Sequence, residues 1–347
     1  MDIKSIVLSI TFTLFSIQLW AQDNAVILVY HHVSNSTPPV TSVSPDTFKE
    51  HMRYLDQHHK VLPLQQVIES LQNNRPLPDK AVVITFDDGY KNIYENAHPI
   101  LREFGFPYTI FVNPPLIGKA HYQLDWKQVQ EMASQGVSFA NHGNQHTHML
   151  TREKNETEQA WLQRSIEDVQ QAEQQLLAKL GYSLKYFAYP YGEFNNKLKN
   201  SLADLGYIGF AQHSGAISSF SDFSALPRFP AAGIYSNLKT LKIKMSALAM
   251  PVSEVSQQDP VITSSPQKLA FNVKDEDLRP SQINCFQNNE VLPKEINQEH
   301  ITLSIKTIDK AGRHRINCTA VSKQDSSRYY WFSQPFLMAT PQGQWLD

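Results

Sequence analysis

Four short stretches of the chain collect residues able to move protons or hold a metal. They are Tyr30-His31-His32, Asp87-Asp88-Gly89-Tyr90, His142 through His148, and Tyr189-Pro190-Tyr191-Gly192. Adjacent residues of a strand point to opposite faces. Asp87 and Asp88 can therefore serve one site only where a strand is ending, and Gly89 offers the turn freedom to end it. Of two neighbouring carboxylates, one can stay ionised on a cation while the other takes a proton from water. Asp-Asp-Gly is also ordinary turn chemistry, so this motif alone leaves a plain turn open. His142 and His146 stand at i and i+4, and His148 follows. On a helical turn, i and i+4 share a face. Two imidazoles and one carboxylate give three ligands with positions left open, as in a catalytic rather than a structural zinc site. A structural site would want cysteine, and Cys285 and Cys318 both lie far off, in the C-terminal third. The donor set suits Zn2+, and also Ni2+ or Co2+.

The short apolar runs of this part of the chain are Ala25–Tyr30, Ala81–Phe86, Tyr108–Val112 and Tyr186–Tyr189; three of the polar stretches stand at the ends of such runs, and the fourth follows Val137-Ser138-Phe139-Ala140. Runs apolar on both faces are the pattern of strands covered on both sides in a parallel sheet. Helical stripes lie between them: Phe48, Met52 and Leu55; Val129 and Met132; and Leu162, Ile166, Val169, Leu176 and Leu180 ahead of Gly181. Alternating strand and helix predict an α/β fold, a parallel sheet or barrel whose chemistry gathers at the C-terminal strand ends. All four polar stretches fall there. After about residue 245 the pattern changes. Residues 241–262 read as a linker, and residues 263–347 as short alternating strands of an all-β, immunoglobulin-like sandwich. Cys285 and Cys318 repeat an Ile-Asn-Cys triplet and could form a disulfide between two of those strands. The cluster Tyr329-Tyr330-Trp331-Phe332 could be a sugar platform or a docking surface. His51, His58, His59, His98 and His121 read as surface or packing residues.

Residues 1–21 have the form of a secretory signal peptide: Lys4, an apolar run from Ile6 to Trp20, and small Ala21. The run is shorter than the ~20 residues a bilayer span needs. The expectation is export to the periplasm or outside, with no stable membrane insertion after cleavage. Of 347 residues, 18% are charged and the net charge is -2, which argues against a nucleic-acid partner. Hydrophobic residues make up 41%, enough for a packed core and too many for a disordered chain.

Thr85-Phe86-Asp87-Asp88-Gly89 resembles the first motif of the polysaccharide deacetylases, the carbohydrate esterases of family 4 with a NodB-homology domain. His142-x-x-x-His146 is similar to their second motif, and Tyr189-Pro190-Tyr191-Gly192 to their third. The resemblance covers about residues 25–235. The opening Tyr30-His31-His32-Val33, with Ser44-Pro45 and Phe48, resembles the subgroup acting on poly-N-acetylglucosamine. It implies a distorted (β/α) barrel over residues 22–240. It implies a divalent metal on Asp88, His142 and His146, with Asp87 as general base. It also implies an early histidine as general acid, which His31 matches best, with His32 as fallback. The family's arginine before the third motif is missing, since that stretch reads Phe187-Ala188-Tyr189; Arg228 could supply its guanidinium to Asp87. His213 could fill a late histidine position. Tyr90, Tyr189 and Tyr191 could stack on sugar faces. The expected reaction is hydrolysis of N-acetyl groups on an exported or cell-envelope polysaccharide, releasing acetate. An O-acetyl esterase using the same site, and a non-catalytic carbohydrate-binding protein, are the alternatives. Adjacent carboxylates do not suit a glycosidase, whose acid and base stand ~5 Å or more apart across the sugar bond.

Overall fold

The computed structural model describes residues 23–346; the leader-like residues 1–21 lie outside them. The apolar runs are strands. β1 (Ala25–Tyr30) and β2 (Ala81–Phe86) are buried along their whole length. β3 (Thr109–Val112), β4 (Ser138–Asn141), β5 (Tyr186–Ala188) and β6 (Ile208–Phe210) follow, all parallel, in the spatial order β1-β2-β3-β4-β5-β6. Side chains on the two faces of this sheet enter separate apolar clusters. Val26, Leu28 and Tyr30 pack with Phe48 and Met52, while Ala25 and Ile27 pack with Val67 and Ile68. Covering on both faces is what excludes water from a parallel sheet.

The sheet curls and is bridged at its open side. The Ala211 N–H donates to the Leu226 carbonyl (2.8 Å), and the Arg228 N–H to the His213 carbonyl (2.9 Å). β7 (Phe229–Pro230) then pairs in parallel with Leu28 and Val29 of β1. One extended segment thus ties β6 to β1. Its close approach needs glycine at position 209, where a Cβ would come 1.9 Å from the Ser224 carbonyl oxygen.

The helix Pro45–His58 is capped by Ser44 and buries Phe48, Met52 and Leu55, as its stripe predicts. Trp126–Ser134 begins in a capping box of Asp125 and Gln128 and buries Val129 and Met132. The long helix Glu158–Leu180 ends at Gly181 in the left-handed region (φ 78°). Its buried face runs through Trp161, Ser165, Val169, Ala172 and Leu176, while Leu162 and Ile166 are only half-buried. The face is turned because Glu173 and Ser165 find buried hydrogen-bond partners, so polar residues enter the stripe.

Beyond residue 245 the strands form a five-stranded and a four-stranded sheet. One apolar cluster takes Leu269, Phe271 and Ile301 from the second and Ile316, Cys318 and Phe336 from the first. Cys285 and Cys318 face each other across paired strands and form a disulfide. Residues 241–262 are more ordered than a linker pattern suggests. Leu248–Ala249 pairs with Tyr330–Trp331, and Val252–Ser253 pairs with Asn272–Val273. Strands of two residues leave no periodicity to read. Trp331 stands edge-on to Phe229 at 5.2 Å and packs on the core of the α/β unit, so it docks the β-rich part. Among the described residues, no helix is long and apolar enough to cross a membrane.

Candidate metal-dependent active site

β2 ends at Phe86, and the chain turns at once: Asp88 (φ 71°) and Gly89 (φ 66°) both lie in the left-handed region. This turn lets two successive carboxylates face one site. Asp87 continues inward and is 0% exposed. Its two oxygens accept from Arg228, Oδ1 from Nη1 at 2.8 Å and Oδ2 from Nη2 at 2.7 Å. Arg228 is equally buried; its Nε donates to the Ala211 carbonyl (3.0 Å) and its guanidinium lies 5.3 Å from the Phe111 ring. Burial by itself would raise the Asp87 carboxyl, but Arg228 outweighs it and holds the group below its ordinary value. Asp87 is thus ionised and aimed by a two-pronged partner.

Asp88, His142 and His146 form the one group of three potential metal ligands among the described residues, their ligand atoms all within 4.8 Å of one another. Asp88 Oδ1 is 3.1 Å from Nε2 of both histidines. Yet Asp88 Oδ1 and His142 Nε2 are buried and make no hydrogen bond of acceptable geometry. The His142 Nδ1 faces the Ala188 carbonyl at 2.8 Å. A carbonyl only accepts, so Nδ1 carries a proton and Nε2 is the ring atom that faces Asp88. Burial would lower the ring's pKa, but Asp88 and Asp87 raise it, so the site favours positive charge between Nε2 and the carboxylate, whether a proton or a metal ion. The donor set therefore fits a divalent ion of the zinc type.

The sequence resemblance does not mention the residues that hold this loop in place. Asn113, at the end of β3, donates to the carbonyls of His142 and Gly143. Asn141 accepts from the Gly143 N–H, and Asp168 from the Asn144 N–H. Glu193, fully buried, contacts His148 Nδ1 at 2.9 Å, so His148 is a neighbour of the site rather than a ligand. Asn113 obeys the same strand-end rule as the others; Glu193 and Asp168 carry no local signal.

The other sequence candidates fall in different places. His31 is half-buried and acts electrostatically on both Asp87 and Asp88. His32 is buried, stacked on Tyr90 at 3.7 Å and bonded to Asn92; burial lowers its ring to about 4. His213 lines the same cavity as His31. It connects to the Asp87–Arg228 pair only through its backbone carbonyl, and burial lowers its ring to about 4. Tyr90 is half-buried, and burial together with Asp88 raises its hydroxyl. Tyr191 takes a positive φ of 58°, stacks on His148 at 4.0 Å and stands edge-on to His146 at 4.9 Å. Tyr189 is a correction: it is 0% exposed, its hydroxyl donates to the Ser224 carbonyl, and its ring packs on Phe187, so it cannot meet a sugar.

Residues 74–210 match the family described as polysaccharide deacetylase. The chain is 29% identical over 206 residues to the protein YxkH of Bacillus subtilis, covering 58% of this chain and 69% of that one. It is 26% identical over 253 residues to the poly-beta-1,6-N-acetyl-D-glucosamine N-deacetylase of Escherichia coli, 62% of this chain but only 38% of that enzyme. With the enzyme of that name from Staphylococcus aureus it shares 27% over 207 residues, 58% of this chain and 71% of the other. In fold it is similar to the deacetylase PplD of Streptococcus pyogenes (TM-score 0.57, 24% identity, 64% and 98% of the two chains). It is equally similar to IcaB of Ammonifex degensii (TM-score 0.57, 23% identity, 65% and 98%). Residues 74–210, which include Asp87, Asp88, His142 and His146, thus match the polysaccharide deacetylase family, and the curled sheet that carries them is similar in fold to these solved structures.

Proposed function

We propose that the chain is a metal-dependent, exported N-deacetylase acting on a polysaccharide of the poly-N-acetylglucosamine type and releasing acetate. The observation that carries this reading is the Asp88, His142 and His146 group beside a buried, arginine-paired Asp87. A divalent ion held by those three ligands supplies Lewis acidity toward the acetyl carbonyl and toward water.

The chain's own residues do the rest. Asp87, ionised and locked by Arg228, accepts the proton of the attacking water. His31, half-buried and within electrostatic reach of both aspartates, delivers a proton to the departing amine. His213 and His32 suit that task less, since burial favours their neutral rings. Tyr191 and Tyr90 border the site and offer faces to a sugar. Residues 22–240 are the catalytic unit in this reading, and residues 263–347 a β-sandwich joined to it through 241–262. Export is supported by the leader-like residues 1–21 and by the Cys285–Cys318 disulfide, which suits an oxidising compartment.

The test is acetate release from N-acetylglucosamine oligomers and from an O-acetylated glycan, with and without chelator, for the wild type and Asp87→Asn. The expected result is release from the oligomers that chelator abolishes and that Asp87→Asn cuts by roughly 10²-fold or more. Release only from the O-acetylated glycan refutes amide specificity. Release indifferent to chelator and to the substitution refutes the metal-and-base reading.

A further inference from the structure

Tyr191 separates two cavities of opposite charge. The first, about 280 Å³, lies between the α/β unit and the C-terminal sheets. His31, His314, Arg313 and Arg315 line it, and no carboxylate does. Arg313 Nη1 donates to the Tyr191 carbonyl (2.9 Å) with its guanidinium 5.8 Å from the ring, and Arg315 does the same for Tyr235, bonding its hydroxyl. Neither arginine pairs with a carboxylate among the described residues. The second cavity, about 600 Å³, is lined by His146 and His148, and by Glu153, Glu167 and Asp168 against the lone Arg164. Tyr191 borders both, with its ring against His146. His146 of the candidate metal group thus lines the acidic cavity, one ring away from the basic one, and the β-rich part of the chain supplies the positive side.

The reaction proposed above converts a neutral acetamide into an amine that is cationic at about pH 6.5. We propose, on the basis of that reading, that the cleft is polarised. The glycan crosses Tyr191 with a still-acetylated neighbour on the Arg313–Arg315 side and tolerates a deacetylated, cationic neighbour on the Glu153–Glu167 side. The cleft therefore senses the acetylation of each flanking unit, and deacetylation advances along the chain toward the arginines. Arg313 and Arg315 are specificity-determining residues in this scheme.

The experiment uses the full chain with its metal, at about pH 6.5. The substrates are a fully acetylated oligomer and two isomers, each with one glucosamine, on one or the other side of the acetylated units. In the wild type, kcat/KM for the isomers should differ by roughly fivefold, the effect of two unit charges about 8 Å away in a near-aqueous cleft. Raising the salt should shrink the difference. R313Q/R315Q should remove most of it, and R313K/R315K should keep it. Equal kcat/KM for the isomers, a preference indifferent to salt, or one unchanged in R313Q/R315Q would overturn the proposal. Because the salt series uses only the wild type, it decides the matter even if the variants do not fold. No release from the fully acetylated oligomer would instead sink the deacetylase reading itself.

Discussion

Replacing Arg228 with methionine should unsettle the whole site from a distance. The guanidinium and the Asp87 carboxylate are both 0% exposed and share two bonds of 2.8 and 2.7 Å. With the cation gone, Asp87 keeps its burial and loses its counter-charge, and the Ala211 carbonyl loses its donor. Breaking a buried ion pair from one side costs about 3–5 kcal/mol. Removing both partners for apolar residues of similar size avoids the stranded charge and is often close to neutral. A double-mutant cycle of Arg228→Met, Asp87→Leu and both together, by urea denaturation in chelator, should give a coupling energy of about 2–4 kcal/mol. Chelation matters, because metal bound to the native state would add its own linkage. In the metal-loaded protein, acetate release by Arg228→Met should fall by roughly 10²-fold with metal content retained, since the carboxylate is no longer aimed. Additive single costs would refute the argument that the pair acts as a unit.

Other outcomes follow from particular side chains. His142→Ala should lose most bound metal on purification, measured by atomic absorption; metal equal to the wild type would remove His142 from the ligand set. His51 is buried against Tyr30, with its Nε2 at the Ser236 carbonyl, and burial lowers its ring from 6.5 to about 4. A ring held neutral in this way contributes stability that is present above pH 6.5 and lost as pH falls toward 4. The loss is about 3 kcal/mol across that window, and His51→Gln should flatten this part of the pH–stability curve. Replacing Cys285 and Cys318 with alanine should cost about 3–4 kcal/mol by loop-closure entropy over their separation of 33, read by denaturation of the C-terminal sheets.

Much of the site was legible because strand ends announce themselves. Apolar runs located β1, β2, β3 and β5, and the rule that chemistry gathers after them led straight to His31, Asp87, Asp88 and Tyr191. The Asp87–Arg228 pairing was readable only as a suggestion, since the two residues stand 141 apart. β6 was missed because three residues centred on Gly209 carry no period. Tyr189 was misread because a motif position does not tell which way a ring turns. Ala188 and Tyr189 follow the strand alternation, and Tyr189 falls on the helix-covered face, against Phe187 and Phe194 and in one cluster with Trp161 and Leu198. Glu193 and Asp168 serve the site through loop contacts, which local sequence does not encode.

The segment that bridges β6 to β1 also divides the site between distant stretches of the chain. Asp88, His142 and His146 come from just past the ends of β2 and β4, whereas the guanidinium that pairs with Asp87 comes from position 228, beyond β6. A chain cut before Leu226 would keep all three candidate ligands and lose the partner that holds the Asp87 carboxylate. The two halves of the site are therefore separable by truncation, although they meet in one place in the fold.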